Sequence, residues 1–347
     1  MPHALTLRLL LAILLALLLS AVQPAAQNPT TWTPQSSGVT ARLRGISAAS
    51  HRVVWASGSD GTILRTQNAG DTWQRLVIPD AATLDFRDID TVSDRTAYAL
   101  SIGPGDASRI YKTSDAGKTW TLQFRNDDPK AFFDAMAFRD GRRGVAFSDS
   151  VDGAFVILRT EDGGAHWSRI PASSLPPALA GEGAYAASGT NVVVRGDRVW
   201  IGTTASRVLR SSDGGRSWSI AQTPVAAGPS AGIFSVAFRD ASHGLVVGGD
   251  FKKEQEAIAN AALTVDGGRT WTRIDGLSGY RSGVAYAPGS KGTVLAVGPS
   301  GSDASFDGGR TWKAEPEKGY HAIGFAPQST VGWAVGEQGR IARIHLR

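Results

Sequence analysis

The residues with the clearest chemical potential come as a string. Positions 211–218 read SSDGGRSW: two hydroxyls, the carboxylate of Asp213, two glycines and a tryptophan. A hydroxyl beside a carboxylate is raw material for nucleophilic or acid–base catalysis. The string recurs, however. TQNAGDTW ends at Trp73, TSDAGKTW at Trp120, TEDGGAHW at Trp167, TVDGGRTW at Trp271 and SFDGGRTW at Trp312. With Trp218 the tryptophans are spaced 47, 47, 51, 53 and 41 residues apart. A catalytic group is needed once, and six copies spread along a chain cannot converge on one centre. Turn chemistry explains every position instead: Asp bonds its own downstream backbone, and Gly takes a positive φ without strain. Asn68, Asp115, Asp162, Asp213, Asp266 and Asp307 therefore read as structural turn residues, each followed by an aromatic peg. Asn68 can make the same local bonds as Asp, so the role does not depend on charge.

The elements around each string are short and alternating. TILRT precedes the first and TWQRLV follows it; RIYKT and TWTLQF flank the second. Such alternation, rich in β-branched and aromatic residues, predicts strands. Two more strand-like stretches precede each hairpin, for example SVAFRD and GLVVGG before the fifth. Four strands repeated about every 45 residues describe a propeller blade. A seventh unit begins at Tyr320 but supplies three strands before the chain stops. TTWTPQ, from Thr30, resembles the segment after each turn and is expected to pair beside Arg340–Arg347. The expected fold is an all-β, seven-bladed propeller of four-stranded blades, closed by its own N-terminal strand, which removes exposed edges.

In such a ring the inner strands line a central channel, a natural place for a ligand. Aromatics recur where the inner strands should start: Phe86, Phe133, Tyr185, Phe234, Tyr280 and Tyr320. A polar residue usually follows, as in Arg87, Asp134, Ser235, Arg281 and His321, with Arg44 in the equivalent place. The candidate binding residues at this mouth are Arg44, Arg87, Asp134, Tyr185, Tyr280, Arg281, Tyr320 and His321. Convergent arginines would bind carboxylates or phosphates through forked hydrogen bonds. The competing reading makes the aromatics core and pairs the arginines with Asp85, Asp88, Asp90 or Asp134. Longer connections lie on the same side: 125–133, the proline-rich 171–185, and 248–260 with a short helix-like stretch. Long loops on a rigid scaffold are where partners bind. Lys118, Arg216, Arg269 and Arg310 mark the opposite rim and read as solubilising.

Composition narrows the classes further. The chain has 347 residues, a formal charge of +5 and no cysteine, so a thioether anchor, disulfides and thiolate chemistry are excluded. No run of five or more Lys/Arg marks a nucleic-acid footprint. The six histidines lack metal-ligand spacing. GPSAG (228–232) matches a nucleophile elbow, but a strand follows it rather than a helix. GEGAYA (181–186) imitates a dinucleotide loop without the helix that would bind phosphate. No metal or cofactor is expected. Arg8, the apolar run Leu9–Leu19 and small residues to Ala26 read as a secretory signal over 1–26. The remainder, 27–347, is expected to be an exported monomer, periplasmic or secreted, with no further membrane span.

The repeated strings resemble the Asp-box, or BNR, repeats of sialidases and other glycoside-processing propellers. The chain from about residue 30 onward also resembles the photosystem II stability/assembly factor family. The stretches that carry this are FRDID (86–90), AFRDGRRGVAF (137–147), AFRDASHGLVVGG (237–249) and GFAPQSTVGWAVGEQGRI (324–341). That resemblance implies a non-enzymatic propeller that binds a protein partner, such as a membrane-protein assembly intermediate, through one face. The sialidase resemblance implies an alternative: a glycoside hydrolase with arginines clamping a sugar carboxylate, Asp134 as acid and Tyr320 or Tyr185 as nucleophile. Against it, the Phe-Arg-Ile-Pro signature is absent, since FRDI departs after two residues, and seven repeats do not match six blades.

Overall fold

Seven four-stranded antiparallel sheets form the ring, each ordered from an inner to an outer strand. The computed structural model describes residues 30–346. The signal expected over 1–26 lies outside the described residues. Blades 1 to 6 are built from 43–76, 85–125, 133–169, 192–222, 231–274 and 283–315. Blade 7 takes Tyr320–Phe325, Val331–Gly336 and Ile341–Leu346 from the C-terminus. Its outermost strand is Thr30–Gln35, in register from Thr30 opposite Leu346 to Gln35 opposite Ile341. The ring therefore closes as the sequence requires, and the closure hides what would be an open sheet edge.

The core lies between blades. The second and third strands of blade 1, Val54–Gly58 and Thr62–Thr66, are buried throughout. Each interface is filled by apolar side chains from two neighbouring sheets, and the tryptophan ending each Asp-Gly turn packs at its edge. Trp120 of blade 2 meets Trp55 of blade 1 edge-on, at 6.0 Å between centroids. Buried aromatics also donate across interfaces: Tyr98 Oη to the Gly163 carbonyl at 3.0 Å and Trp200 Nε1 to that of Gly267 at 2.9 Å. These bonds satisfy polar tips that burial would otherwise leave costly.

The turns themselves are self-contained. In the fifth, Thr264 Oγ1 accepts from Gly268 N at 2.9 Å and donates to Asp266 Oδ1 at 2.8 Å. Asp266 Oδ1 in turn accepts from Thr270 N at 3.0 Å. Asn68 makes the same two bonds, from Thr66 Oγ1 at 2.9 Å and from Thr72 N at 3.0 Å. Donors crowding the carboxylate hold it below its ordinary range: Asp115, bonded by Thr119, falls to about 2. The turns are spread around the rim opposite the inner-strand starts.

One local expectation fails. Residues 251–260 contain no helix, and among the described residues the only helices are three single 3-10 turns. Asn260 Nδ2 donates to the Glu256 carbonyl at 2.7 Å, a local side-chain bond that competes with helix formation.

Candidate functional site

Each inner strand must twist sharply beside the channel, and five blades solve this with a β-bulge at one equivalent place. The pairing skips one residue between Leu43 and Gly45, Phe86 and Asp88, Phe133 and Ala135, Ile233 and Ser235, and Tyr320 and Ala322. A bulge leaves its extra residue unpaired and re-aims its side chain. The residues so released are Arg44, Arg87, Asp134, Phe234 and His321. The preceding residue in each blade (Leu43, Phe86, Phe133, Ile233, Tyr320) is buried. Close backbone approach at the bulge keeps the residue opposite it small, glycine in three blades (Gly58, Gly248, Gly336) and serine in two (Ser101, Ser148); a Cβ on Gly336 would stand 2.0 Å from the Gly319 carbonyl oxygen.

This geometry divides the sequence candidates. Arg44, Arg87, Tyr185, Tyr280 and His321 line one cavity of about 460 Å³ at the channel mouth. Tyr320 does not; it is buried and stacks on Trp32 with ring centroids 5.4 Å apart. Arg281 does not either. Blade 6 carries one extra residue before its inner strand, which puts Arg281 at the core position and Tyr280 at the mouth. Arg281 is fully buried, with Nε on Asp303 Oδ2 at 2.6 Å and Nη1 on the Tyr280 carbonyl at 2.7 Å. In blade 5 a one-residue shift in the opposite sense makes Phe234, not Ser235, the mouth residue. Asp134 is 1% exposed and lines no part of this cavity, and its Oδ2 has no hydrogen-bond partner. Burial, reinforced by Asp149, pushes its carboxyl well above the ordinary range, and Arg87 only partly offsets this.

The channel is not open. Residues 183–190, from the connection between blades 3 and 4, run across it. Ala184 N donates to Asp149 Oδ1 at 3.1 Å in blade 3. Ser188 Oγ donates to the Ser282 carbonyl at 2.7 Å, beside blade 6, and Thr190 Oγ1 meets Ser235 Oγ at 2.6 Å in blade 5. Gly189, with φ +72°, lies so close to Asp88 of blade 2 that a Cβ would sit 2.2 Å from Asp88 Oδ1. Tyr185 therefore belongs to this plug and not to an inner strand, which in blade 4 begins at Val192. A ligand can reach the mouth but meets a floor at Ala186 and Ala187.

Above the floor the cavity has two chemically different sides. Arg42, Arg44, Arg87 and His321, from blades 7, 1 and 2, form one. Arg87 is paired with Asp85 at 2.9 Å and donates to the Ala186 carbonyl at 3.0 Å. His321 Nε2 meets Glu337 Oε1 at 2.8 Å, and Arg42 Nε is 2.9 Å from the same oxygen. Arg44 differs: its Nη1 reaches the Ala187 carbonyl at 3.3 Å, its Nε is buried without a partner, and among the described residues no carboxylate pairs with it. Burial, then repulsion by Arg87, lowers its pKa to about 10. His321 is lowered to about 4 by burial and by Arg44, against the pull of Glu337, so it is neutral at pH 7. The other side is aromatic: Tyr185, Phe234, Phe251 and Tyr280.

Sequence reasoning missed Arg42, Phe251, Glu254, Pro299 and Glu337 in this lining. Arg42 was signalled by its two-residue spacing from Arg44; the others come from connections whose path only the folded ring defines. A more open cleft of about 650 Å³ lies at the closure seam, lined by 35–41 and 337–340 among others, but it holds none of the bulge residues.

No protein-family model matches the chain, and no curated protein matches it. Solved structures do. YCF48 bound to D1 peptide superposes with a TM-score of 0.65 at 16% identity, covering 94% of this chain and 100% of that one. YCF48 from Cyanidioschyzon merolae gives 0.65 at 18% identity, covering 90% and 98%. A GH74 xyloglucanase from Xanthomonas campestris gives 0.61 at 18% identity, covering 90% of this chain but 53% of the enzyme. At these identities the likeness is one of fold: a seven-bladed propeller that is found in both binding proteins and glycosidases.

Proposed function

We propose that this protein is a non-catalytic binding module, exported from the cell, that holds a carboxylate-bearing segment of a protein partner at the channel mouth. One observation carries the reading. Arg44 is a largely buried cation with an unpaired Nε that no carboxylate contacts, and Glu337 offsets its charge only from a distance, so positive charge is left in excess at the mouth. An incoming carboxylate would supply the missing counter-charge. The full-length fold likeness to YCF48, one of whose structures holds a D1 peptide, supports a protein partner. The Asp-Gly turns are read as Asp boxes, with a scaffolding role.

A glycosidase reading would need two carboxyl groups flanking an open cleft. Asp134, the acid it would use, is buried away from the lining, and Tyr320 is in the core; Tyr185 does line the cavity, as do Glu254 and Glu337, but Glu337 is tied up by His321 and Arg42.

The test is capture of partners from the protein's own envelope extract by wild-type protein and by Arg44→Gln with Arg87→Gln. The pair of substitutions should abolish salt-sensitive capture while the thermal midpoint stays within a few degrees. Undiminished capture would refute the site. Turnover of aryl glycosides that survives purification and is lost in Asp134→Asn would refute the non-catalytic reading.

A further inference from the structure

Four aromatic rings stand beside the cationic side of the mouth without belonging to any of the inter-blade cores. Phe234, Tyr280 and Ala187 form a small buried cluster of their own, with Tyr185 packed on it. Tyr185 and Phe234 stack at 3.9 Å and 2°. Tyr280 meets Phe234 edge-on at 4.7 Å. Phe251 stands edge-on to both stacked rings, at 6.0 Å from Tyr185 and 6.1 Å from Phe234, and is 40% exposed. Phe234 occupies the bulge position that four other blades give to Arg, Arg, Asp and His. Ile233 already fills the core position there, so packing of the blade does not require a phenyl ring at 234.

We propose that these rings form an apolar subsite for a large aliphatic or aromatic side chain next to the carboxylate bound by Arg44, so that the site reads an apolar–acidic pair in an extended peptide. This rests on the binding reading above and specifies it. The two sides share one cavity of about 460 Å³, room for a few side chains and not for a folded domain. A purely anionic ligand such as phosphate would leave Phe251 in water. A purely apolar one would leave Arg44 without a counter-charge, and so would a neutral polysaccharide. A peptide carrying both groups answers both demands, with aromatic anchors giving affinity and the guanidinium giving orientation.

The test uses the full chain and short glycine–serine peptides carrying a single Phe-Asp, Ser-Asp or Phe-Asn pair, titrated calorimetrically. Phe-Asp should bind at least about ten-fold more tightly than either, the usual gain from burying a phenyl side chain or pairing a buried cation. Phe251→Ala should reduce Phe-Asp to the Ser-Asp level and leave the preference for Asp over Asn intact. Arg44→Gln should do the reverse. Equal affinity for Phe-Asp and Ser-Asp, or a Phe251→Ala variant that keeps the difference, overturns the subsite and leaves the arginine reading standing. Equal affinity for Phe-Asp and Phe-Asn overturns the arginine reading. Binding of polygalacturonate fragments with no peptide binding overturns both.

Discussion

Removing the carboxylate of Asp303 should destabilise the whole ring, although neither Asp303 nor its partner touches the cavity. Arg281 and Asp303 are both fully buried. The guanidinium spends its donors on Asp303 Oδ2, the Tyr280 carbonyl and Ser278 Oγ, and Ser278 N also donates to Asp303. Burial lowers the Arg281 pKa and Asp303 pulls it back up. In Asp303→Ala the cation stays buried with its main counter-charge gone. Breaking such a pair costs about 3–5 kcal/mol. At about 2.1 cal/mol/K of unfolding entropy per residue, a ring of this size should lose about 4–8 °C in its melting midpoint. Circular dichroism melts at pH 7 read this directly. Replacing both partners by apolar residues, Arg281→Met with Asp303→Ala, should recover most of the loss, because no unpaired charge remains. A single variant that melts with the wild type, or a double variant no better than the single, would refute the account of a charge pair at a core position.

The buried carboxyls of the inner strands should also withdraw stability as pH rises from about 4 toward 7. Burial pushes the Asp90 carboxyl up to about 6, against the pull of the Phe138 and Thr91 N–H groups, and pushes Asp88 well above its ordinary value. These groups hold protons more tightly folded than unfolded. Their contribution is full below the unfolded value near 4 and is lost as pH passes the folded value. The turn carboxylates Asp115 and Asp162, held near 2, act oppositely and lose their contribution only below pH 4. His321, held near 4 when folded, works the other way between about pH 4 and 6.5, so the test is the difference between proteins: relative to wild type, Asp90→Asn should gain in melting midpoint as pH rises from 4.5 to 7, and an unchanging difference would contradict this. Gly189→Ala should loosen the plug and not the ring, since φ +72° and the 2.2 Å approach to Asp88 leave no place for a methyl group. Hydrogen exchange should quicken at 183–190 while the inner strands stay protected; unchanged exchange there would show that the plug tolerates a side chain.

The site was legible only in part, and the reason is register. The inner-strand starts were visible as aromatic–polar pairs, and Phe86–Arg87 and Tyr320–His321 fit that pattern, with the second residue facing the mouth. Blades 5 and 6 broke it by one residue. In a strand of period two, a shift of one exchanges core for channel, which sent Arg281 inward and brought Phe234 and Tyr280 out. No local pattern distinguishes Arg281 beside Asp303 from Arg87 beside Asp85; the first pair is sealed and the second is partly solvated because of what packs around each.

What the sequence by itself determined is everything that repeats. Six Asp- or Asn-bearing glycine turns, strand alternation, and three strands at the C-terminal end matched by one at the N-terminal end specify seven blades and their closure, because these signals are local. What only the tertiary structure decided is what happens once: the plug across the channel, the unpaired Arg44 and the aromatic cluster of Tyr185, Phe234, Phe251 and Tyr280. Those features join residues up to 143 positions apart, as Arg44 and Ala187 are, and no periodicity within a blade encodes where seven separate blades will converge.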